Sequence, residues 1–167
     1  YVTQLRTGGA TGAAFDVLAR KDCKKGALIG TGGQAATQLE AMVAVRDLEE
    51  VKVFDLSRER LVAFAEKMNE ELKDYGARIV AAESADDAVA DADLLVTVTP
   101  SSRPVFDGTK VKPGATVSCV GSYQPHMQEM DPVILTRASK IYFDSEEAVL
   151  SEAGDILIPL EKGIITR

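Results

Sequence analysis

Three small residues at fixed spacing form the part of this sequence best suited to bind an anion. Gly30, Gly32 and Ala35 make a Gly-x-Gly-x-x-Ala turn directly after the run Gly-Ala-Leu-Ile at 26–29. In such a turn the first glycine permits a tight bend, the second leaves backbone N–H groups open to a pyrophosphate, and the small third residue lets a helix pack closely. The spacing therefore predicts a phosphate-binding loop at a helix N-terminus, where the helix dipole favours negative charge.

An acidic residue further along extends this prediction to a ribose. Asp55 directly follows the run Val-Lys-Val-Phe at 51–54, and its carboxylate is suited to accept hydrogen bonds from two ribose hydroxyl groups. Its charge would repel a 2′-phosphate, which favours NAD over NADP. Arg58 could instead hold that phosphate or lie solvated in a helix, so NADP stays an alternative. The competing interpretation is a glycine turn in another α/β fold, with Asp55 as an ordinary cap.

The elements that position these residues alternate between strand and helix. Apolar runs predict strands at 26–29, 51–54, 78–82, 94–99, 115–120 and 140–144. Apolar stripes at helical spacing predict helices at 34–47, 58–75, 84–92 and 146–153. This alternation is typical of an α/β fold of the Rossmann type, in which a doubly wound, mainly parallel sheet carries helices on both faces.

Further contacts to the cofactor are expected at the carboxyl ends of the strands, because ligands of open parallel sheets bind there. One strand ends in Thr97, Val98 and Thr99, and the next ends in Val120, Gly121 and Ser122. β-Branched threonine also simply suits a strand, so Thr97 stays open between a binding and a structural role. The predicted cofactor-binding set is completed by Thr31, Gly33 and Gln34 in the turn and by Ser57, the expected N-cap of the next helix.

Composition excludes several classes of function. The chain has 167 residues, which suits one domain, and a formal net charge of −7 without a local cluster of Lys and Arg, which argues against nucleic acid as a partner. No apolar run approaches the roughly 18 residues of a membrane span, and no signal peptide is visible, so we expect a cytoplasmic protein. With one histidine and two cysteines that form no CxxC pair, no metal site is expected.

In combination, three groups of motifs resemble the ornithine cyclodeaminase/mu-crystallin family. They are Arg6-Thr7-Gly8 before a small-residue helix, Ile29 to Ala35 followed by Thr37-Gln38-Leu39, and Val120-Gly121-Ser122 before Pro125 and Gln128-Glu129-Met130-Asp131. The resemblance covers the whole chain and implies a two-part subunit. Residues 26–167 would form its NAD(P)-binding Rossmann domain, ending after a strand at 154–160. Residues 1–25 would be a helical lead-in from a missing dimerisation domain, through which the protein forms a homodimer.

The resemblance also implies roles for individual residues. Arg6 resembles the arginine that binds the substrate carboxylate, and Thr7 resembles a cofactor contact beside it. True ornithine cyclodeaminases have a catalytic aspartate where this chain has Tyr123. The resemblance therefore favours hydride transfer on the alpha carbon of a small amino acid or imine, as in amino-acid dehydrogenases and ketimine reductases. The fragment alone is expected to be inactive.

Three questions stay open at this stage. Ornithine cyclodeaminase proper is one alternative function, and a non-catalytic NAD(P)- or ligand-binding protein of the crystallin type is another. Within the chain, His126 is a candidate for acid–base catalysis near the nicotinamide end, although a solvent-exposed loop histidine is its alternative interpretation.

Overall fold

The residues described by the computed structural model, 2–166, contain five strands that form one fully parallel sheet. The strands are β1 (Lys25–Ile29), β2 (Glu50–Phe54), β3 (Arg78–Ala81), β4 (Leu94–Thr97) and β5 (Thr116–Cys119). Their order across the sheet is β3-β2-β1-β4-β5, so the winding direction reverses between β1 and β4. Such a reversal opens a crevice at the carboxyl ends of the strands. The predicted Rossmann-type fold is confirmed.

Helices cover both faces of this sheet. They are α1 (Val2–Leu18), α2 (Ala35–Val45), α3 (Arg58–Glu71), α4 (Ala85–Ala90), α5 (Val133–Arg137), α6 (Glu146–Glu152) and α7 (Gly154–Glu161). Because side chains alternate along a strand, β1 contributes Leu28 to the core beneath α1, α2 and α3, and Ala27 and Ile29 to the core beneath α4, α5 and α7. In the part of the chain that the structure describes, no helix is both long and apolar enough to cross a membrane.

Helix α1 lies within the helical segment expected at residues 1–25, but it includes Arg6-Thr7-Gly8, which the sequence analysis placed before the helix. A Cβ at Gly8 would lie 2.8 Å from the Thr37 carbonyl oxygen, and one at Gly12 would lie 3.4 Å from the Cβ of Ala41. The backbones of α1 and α2 therefore approach closely along a face of small residues. Helix propensity alone disfavours glycine, and here tertiary packing overrides it.

Two predicted strands are wrong. Residues 140–144 are exposed and irregular, because an extended segment becomes a strand only beside a partner, and β5 pairs with β4 alone among the described elements. Residues 154–160 lie in helix α7, which buries Gly154, Asp155, Ile156 and Pro159. Short apolar runs do not by themselves distinguish a buried strand from a buried helix.

Asp93 lies at the amino-terminal end of the strands, opposite the crevice, and contacts several segments there. Its carboxylate accepts hydrogen bonds from the backbone N–H groups of Lys24 (2.8 Å) and Lys25 (3.0 Å) and pairs with Arg20 (2.7 Å) and Lys112 (2.8 Å). Burial raises the pKa of this carboxyl, but the hydrogen bonds from Lys112, Lys24 and Lys25 outweigh burial and lower the pKa to about 2. The carboxylate therefore stabilises the fold only while it is ionised.

Acidification is expected to remove this stabilisation. The pKa of Asp93 is about 2 in the fold against an ordinary value of 3.8, so its contribution is complete above about pH 4 and is lost as the pH falls towards 2. We expect a loss of about 1–2 kcal/mol in the free energy of unfolding, measured by urea denaturation between pH 5 and 2.5. Asp93→Asn should start less stable and lose less over the same interval. An equal loss of unfolding free energy in both proteins would contradict the stabilising role of the Asp93 carboxylate.

Candidate functional site

The glycine turn has the geometry that an anion-binding loop requires. Gly30 has a φ of +105°, and a Cβ there would lie 2.9 Å from the Val98 carbonyl oxygen, so the position suits glycine alone. At Gly32, by contrast, an added Cβ would meet no atom within 4 Å, which leaves open space in front of the turn. Gln34, the N-cap of α2, makes no side-chain capping bond. The Ala35 N–H donates to the Gly32 carbonyl oxygen at 3.0 Å, which leaves the next N–H groups of α2, those of Ala36 and Thr37, to an anion.

Asp55 ties this turn to the next helix. Its carboxylate accepts hydrogen bonds from the N–H and hydroxyl groups of Thr31 (3.1 and 2.8 Å) and from the N–H of Ser57 (2.8 Å), and it pairs with Arg60 at 2.8 Å. Burial raises the pKa of Asp55, but the bonds from Ser57, Thr31 and Arg60 outweigh burial and lower it. The carboxylate is therefore ionised at neutral pH and contacts the glycine turn through Thr31.

The two arginines after Asp55 take different positions. Arg58, the residue that the sequence singled out, is exposed and donates a hydrogen bond to the Ala82 carbonyl oxygen at 3.3 Å. Arg60, which the sequence analysis missed, makes the ion pair with Asp55 although its own side chain is 65% exposed. Its position could have been found from the Ser57 N-cap, because the third residue of a helix faces back towards the residues before the cap.

A cleft of about 470 Å³ lies at the carboxyl ends of β1, β4 and β5. Its lining consists of Thr7, Gly32, Gly33, Gln34, Val98, Thr99, Pro100, Val120, Gly121 and Tyr123. The fold thus brings together the glycine turn, the ends of β4 and β5, and one residue of α1. Gln4 on α1 also donates a hydrogen bond to the Gly33 carbonyl oxygen at 2.7 Å, which holds the helix against the turn.

Other predicted site residues lie outside the cleft lining. Arg6 is exposed on α1 beside Thr7, and His126 is exposed on the loop after Ser122. Thr97 is fully buried, and its hydroxyl donates to the Glu129 carboxylate at 3.1 Å. The Ser122 hydroxyl donates to the Met127 carbonyl oxygen at 2.9 Å, so it braces a loop.

The glycine turn, the acid after β2 and the crevice at the strand reversal are the defining features of a Rossmann-type α/β domain. The chain belongs to the ornithine cyclodeaminase/mu-crystallin family, whose family model matches residues 1–166. The resemblance inferred from the motifs is confirmed.

Relatives of this chain include proteins named as reductases and dehydrogenases. It is 38% identical over 164 residues to a Δ1-pyrroline-2-carboxylate reductase of Bacillus cereus, covering 98% of this chain and 49% of that protein. It is also similar to the structure of Thermococcus litoralis Δ1-pyrroline-2-carboxylate reductase in complex with NADH and L-proline (TM-score 0.92, 39% identity, 99% of this chain and 50% of that chain). An archaeal alanine dehydrogenase dimer with bound NAD has a TM-score of 0.86, 38% identity and coverage of 99% and 49%. The chain spans about half the length of these relatives.

Proposed function

We propose that this chain binds NAD(H) in the cleft and forms the cofactor-binding part of a reductase or dehydrogenase of small imines or amino acids. The observation that carries the proposal is the open glycine turn, which faces a cleft at the strand ends and has the ionised Asp55 beside it. When bound, the cofactor would supply hydride transfer. The activities and bound dinucleotides of the relatives support the same proposal.

The residues present fit a dinucleotide. The α2 N-terminus and the empty space at Gly32 would accept the pyrophosphate, with no side chain in its place. The Gln34 Oε1 atom, on the lining of the cleft, is buried without a hydrogen-bond partner among residues 2–166, so a ligand donor would satisfy it. Asp55 would accept the ribose hydroxyl groups in place of its bond from Arg60, whose side chain is exposed. We propose NAD(H) over NADP(H) because this carboxylate would repel a 2′-phosphate.

The substrate end of the proposal depends on Arg6 and Tyr123. Arg6 is exposed on α1, one residue before the cleft residue Thr7, and we propose that its guanidinium pairs with the carboxylate of an amino or imino acid. Tyr123 lines the cleft where true cyclodeaminases of the family have an aspartate. A neutral phenol donates a hydrogen bond but does not replace a carboxylate as a proton acceptor. We therefore propose reduction of a C=N bond, or its reverse, rather than cyclodeamination.

We further propose the architecture and setting of the protein. Its relatives are about twice as long as this chain, which supports a second, dimerisation domain joined to the Rossmann domain through residues 1–25. An archaeal relative is described as a dimer, which supports a homodimer here. We propose the cytoplasm as its location, where the free thiols of Cys23 and Cys119 would stay reduced.

Calorimetric titration with NADH and NADPH tests the proposed cofactor. We expect this chain to bind NADH more tightly than NADPH, and the full-length protein to oxidise NADH when Δ1-pyrroline-2-carboxylate is added. Binding of NADH by the full-length protein without turnover of any imino acid would favour the ligand-binding alternative. Binding of neither dinucleotide would contradict the proposal.

Asp55→Asn is expected to reverse the cofactor preference. Loss of the charge weakens the hydrogen bonds to the ribose and removes repulsion of a 2′-phosphate, so the affinity for NADH should fall about 10-fold while that for NADPH is unchanged or rises. Asp74→Asn, at an exposed position away from the cleft, is the matched control. An equal loss for both dinucleotides would mean that Asp55 only braces the turn through Thr31 and Ser57.

A further inference from the structure

We propose that Glu129 is a positioning residue that fixes the wall of the cleft against which the nicotinamide half of the cofactor binds. The inference rests on the proposed function, because it concerns how the same cleft is shaped. Glu129 does not line the cleft and is fully buried. It therefore acts through the residues that it contacts.

The two carboxylate oxygens of Glu129 connect the ends of two strands. One oxygen accepts hydrogen bonds from the hydroxyl of Thr97 (3.1 Å) and the backbone N–H of Gly121 (2.6 Å). The other accepts from the hydroxyl of Thr99 at 2.7 Å and from the backbone N–H of Thr99. Thr99 and Gly121 both line the cleft. A single side chain thus sets the separation between the segment after β4 and the turn after β5.

The donors around Glu129 fit an ionised carboxylate. Each oxygen faces a backbone N–H, which can only donate, and among residues 2–166 no cation forms an ion pair with this side chain. Burial, together with the neighbouring Asp155 carboxylate, raises the pKa of the Glu129 carboxyl above its ordinary value, although the hydrogen bonds from Thr99 and Gly121 oppose that rise. An amide in its place would offer one oxygen instead of two and would turn an N–H donor towards Thr99 or Gly121.

Helix α7 holds Glu129 in place from the other side. Asp155, in the first turn of α7, accepts hydrogen bonds from the backbone N–H groups of Glu129 and Met130, both at 2.8 Å. A Cβ at Gly154 would overlap the Met127 carbonyl oxygen, so the backbone of α7 packs directly against the backbone of this loop. The arrangement runs from α7 through Glu129 to the ends of β4 and β5. Asp155 is thereby a second positioning residue, one step further from the cleft.

The contacts of Glu129 are confined to one half of the proposed site. They involve the last residue of β4 and the segments after β4 and β5, whereas the pyrophosphate turn and Asp55 follow β1 and β2. With the pyrophosphate on the turn and the adenosine ribose at Asp55, the nicotinamide half would lie at the ends of β4 and β5. Loss of the carboxylate should therefore affect the nicotinamide half of the cofactor more than the adenosine half. A general loss of folding would affect both halves equally.

Titration with NADH and with ADP-ribose, which lacks the nicotinamide, tests this difference. We expect Glu129→Gln to lower the affinity for NADH about 10- to 100-fold and the affinity for ADP-ribose less than about 3-fold. Glu147→Gln, on the exposed face of α6, is the matched control and should change neither. Equal losses for both ligands, or no loss for NADH, would overturn the proposal.

A second variant covers the case in which Glu129→Gln does not fold. Thr97→Val removes one hydroxyl that donates to Glu129 and keeps the shape of a residue outside the cleft lining. It should lower the affinity for NADH about 3- to 10-fold with ADP-ribose unchanged, and unchanged NADH affinity would overturn the proposal. If the unmodified protein bound neither ligand, the proposed function and this inference would both fail. If the unmodified protein bound both ligands and neither variant had a lower affinity for NADH, this inference alone would be overturned.

Discussion

Gly121→Ala is expected to lower the affinity for NADH at least about 100-fold and the free energy of unfolding by about 3 kcal/mol. A Cβ on Gly121 would overlap the Thr99 carbonyl oxygen and the Glu129 carboxylate. Neither group has room to withdraw, because Glu129 is fully buried and the Thr99 backbone is held by its own hydrogen bond to that carboxylate. The variant must therefore separate the ends of β4 and β5, which form one wall of the cleft.

Calorimetry with NADH and urea denaturation of the same samples measure the two effects. Gly9→Ala is the matched control, because a Cβ at that position on α1 would meet no atom within 4 Å. In a helix this exchange should raise the stability by up to about 1 kcal/mol and leave the affinity unchanged. If Gly121→Ala bound NADH as tightly as the unmodified protein does, the spacing between the ends of β4 and β5 would not determine the affinity for the nicotinamide half.

The cofactor end of the site could be predicted from sequence because its signals are local. Gly30, Gly32 and Ala35 lie within six consecutive residues, and their backbone requirements follow from the absence or small size of a side chain. Asp55 follows at the spacing that one strand–helix–strand unit imposes. The alternation of apolar runs and stripes likewise predicts the Rossmann-type fold, because strands and helices each bury one periodic set of side chains.

The remaining parts of the site depend on contacts between distant segments. Glu129 lies 32 residues after Thr97 and only the fold brings them together, so a buried carboxylate in an acidic sequence gives no local signal. For the same reason the strand predicted at 154–160 is wrong. Its apolar run suits either a strand or a helix, and the contacts of Asp155 with Glu129 and Met130 are compatible with the helix that forms.

Arg46→Ala is expected to destabilise the fold by about 3–5 kcal/mol. The Arg46 side chain is only 3% exposed and lies where α1 ends. It pairs with the Asp16 carboxylate at 3.1 Å, and its guanidinium also donates to the carbonyl oxygens of Phe15, Asp16, Ala19, Arg20 and Val45. The Phe15 and Asp16 carbonyl oxygens each keep a second donor, the Ala19 N–H and the Lys21 side chain. Removal of the arginine takes away the donor to the Ala19 and Arg20 carbonyl oxygens just after the helix and leaves its buried site empty.

The same variant tests whether α1 is part of the cofactor site. Helix α1 supplies Thr7 to the cleft and the Gln4 hydrogen bond to Gly33, so loosening its attachment to α2 should also lower the affinity for NADH about 3- to 10-fold. Urea denaturation and calorimetry measure the two effects. Arg103→Ala, at an exposed position, is the control. Its free energy of unfolding should lie within about 0.5 kcal/mol of that of the unmodified protein. A large loss of stability without any loss of affinity would mean that α1 only covers the core, and that the glycine turn keeps its shape without the helix.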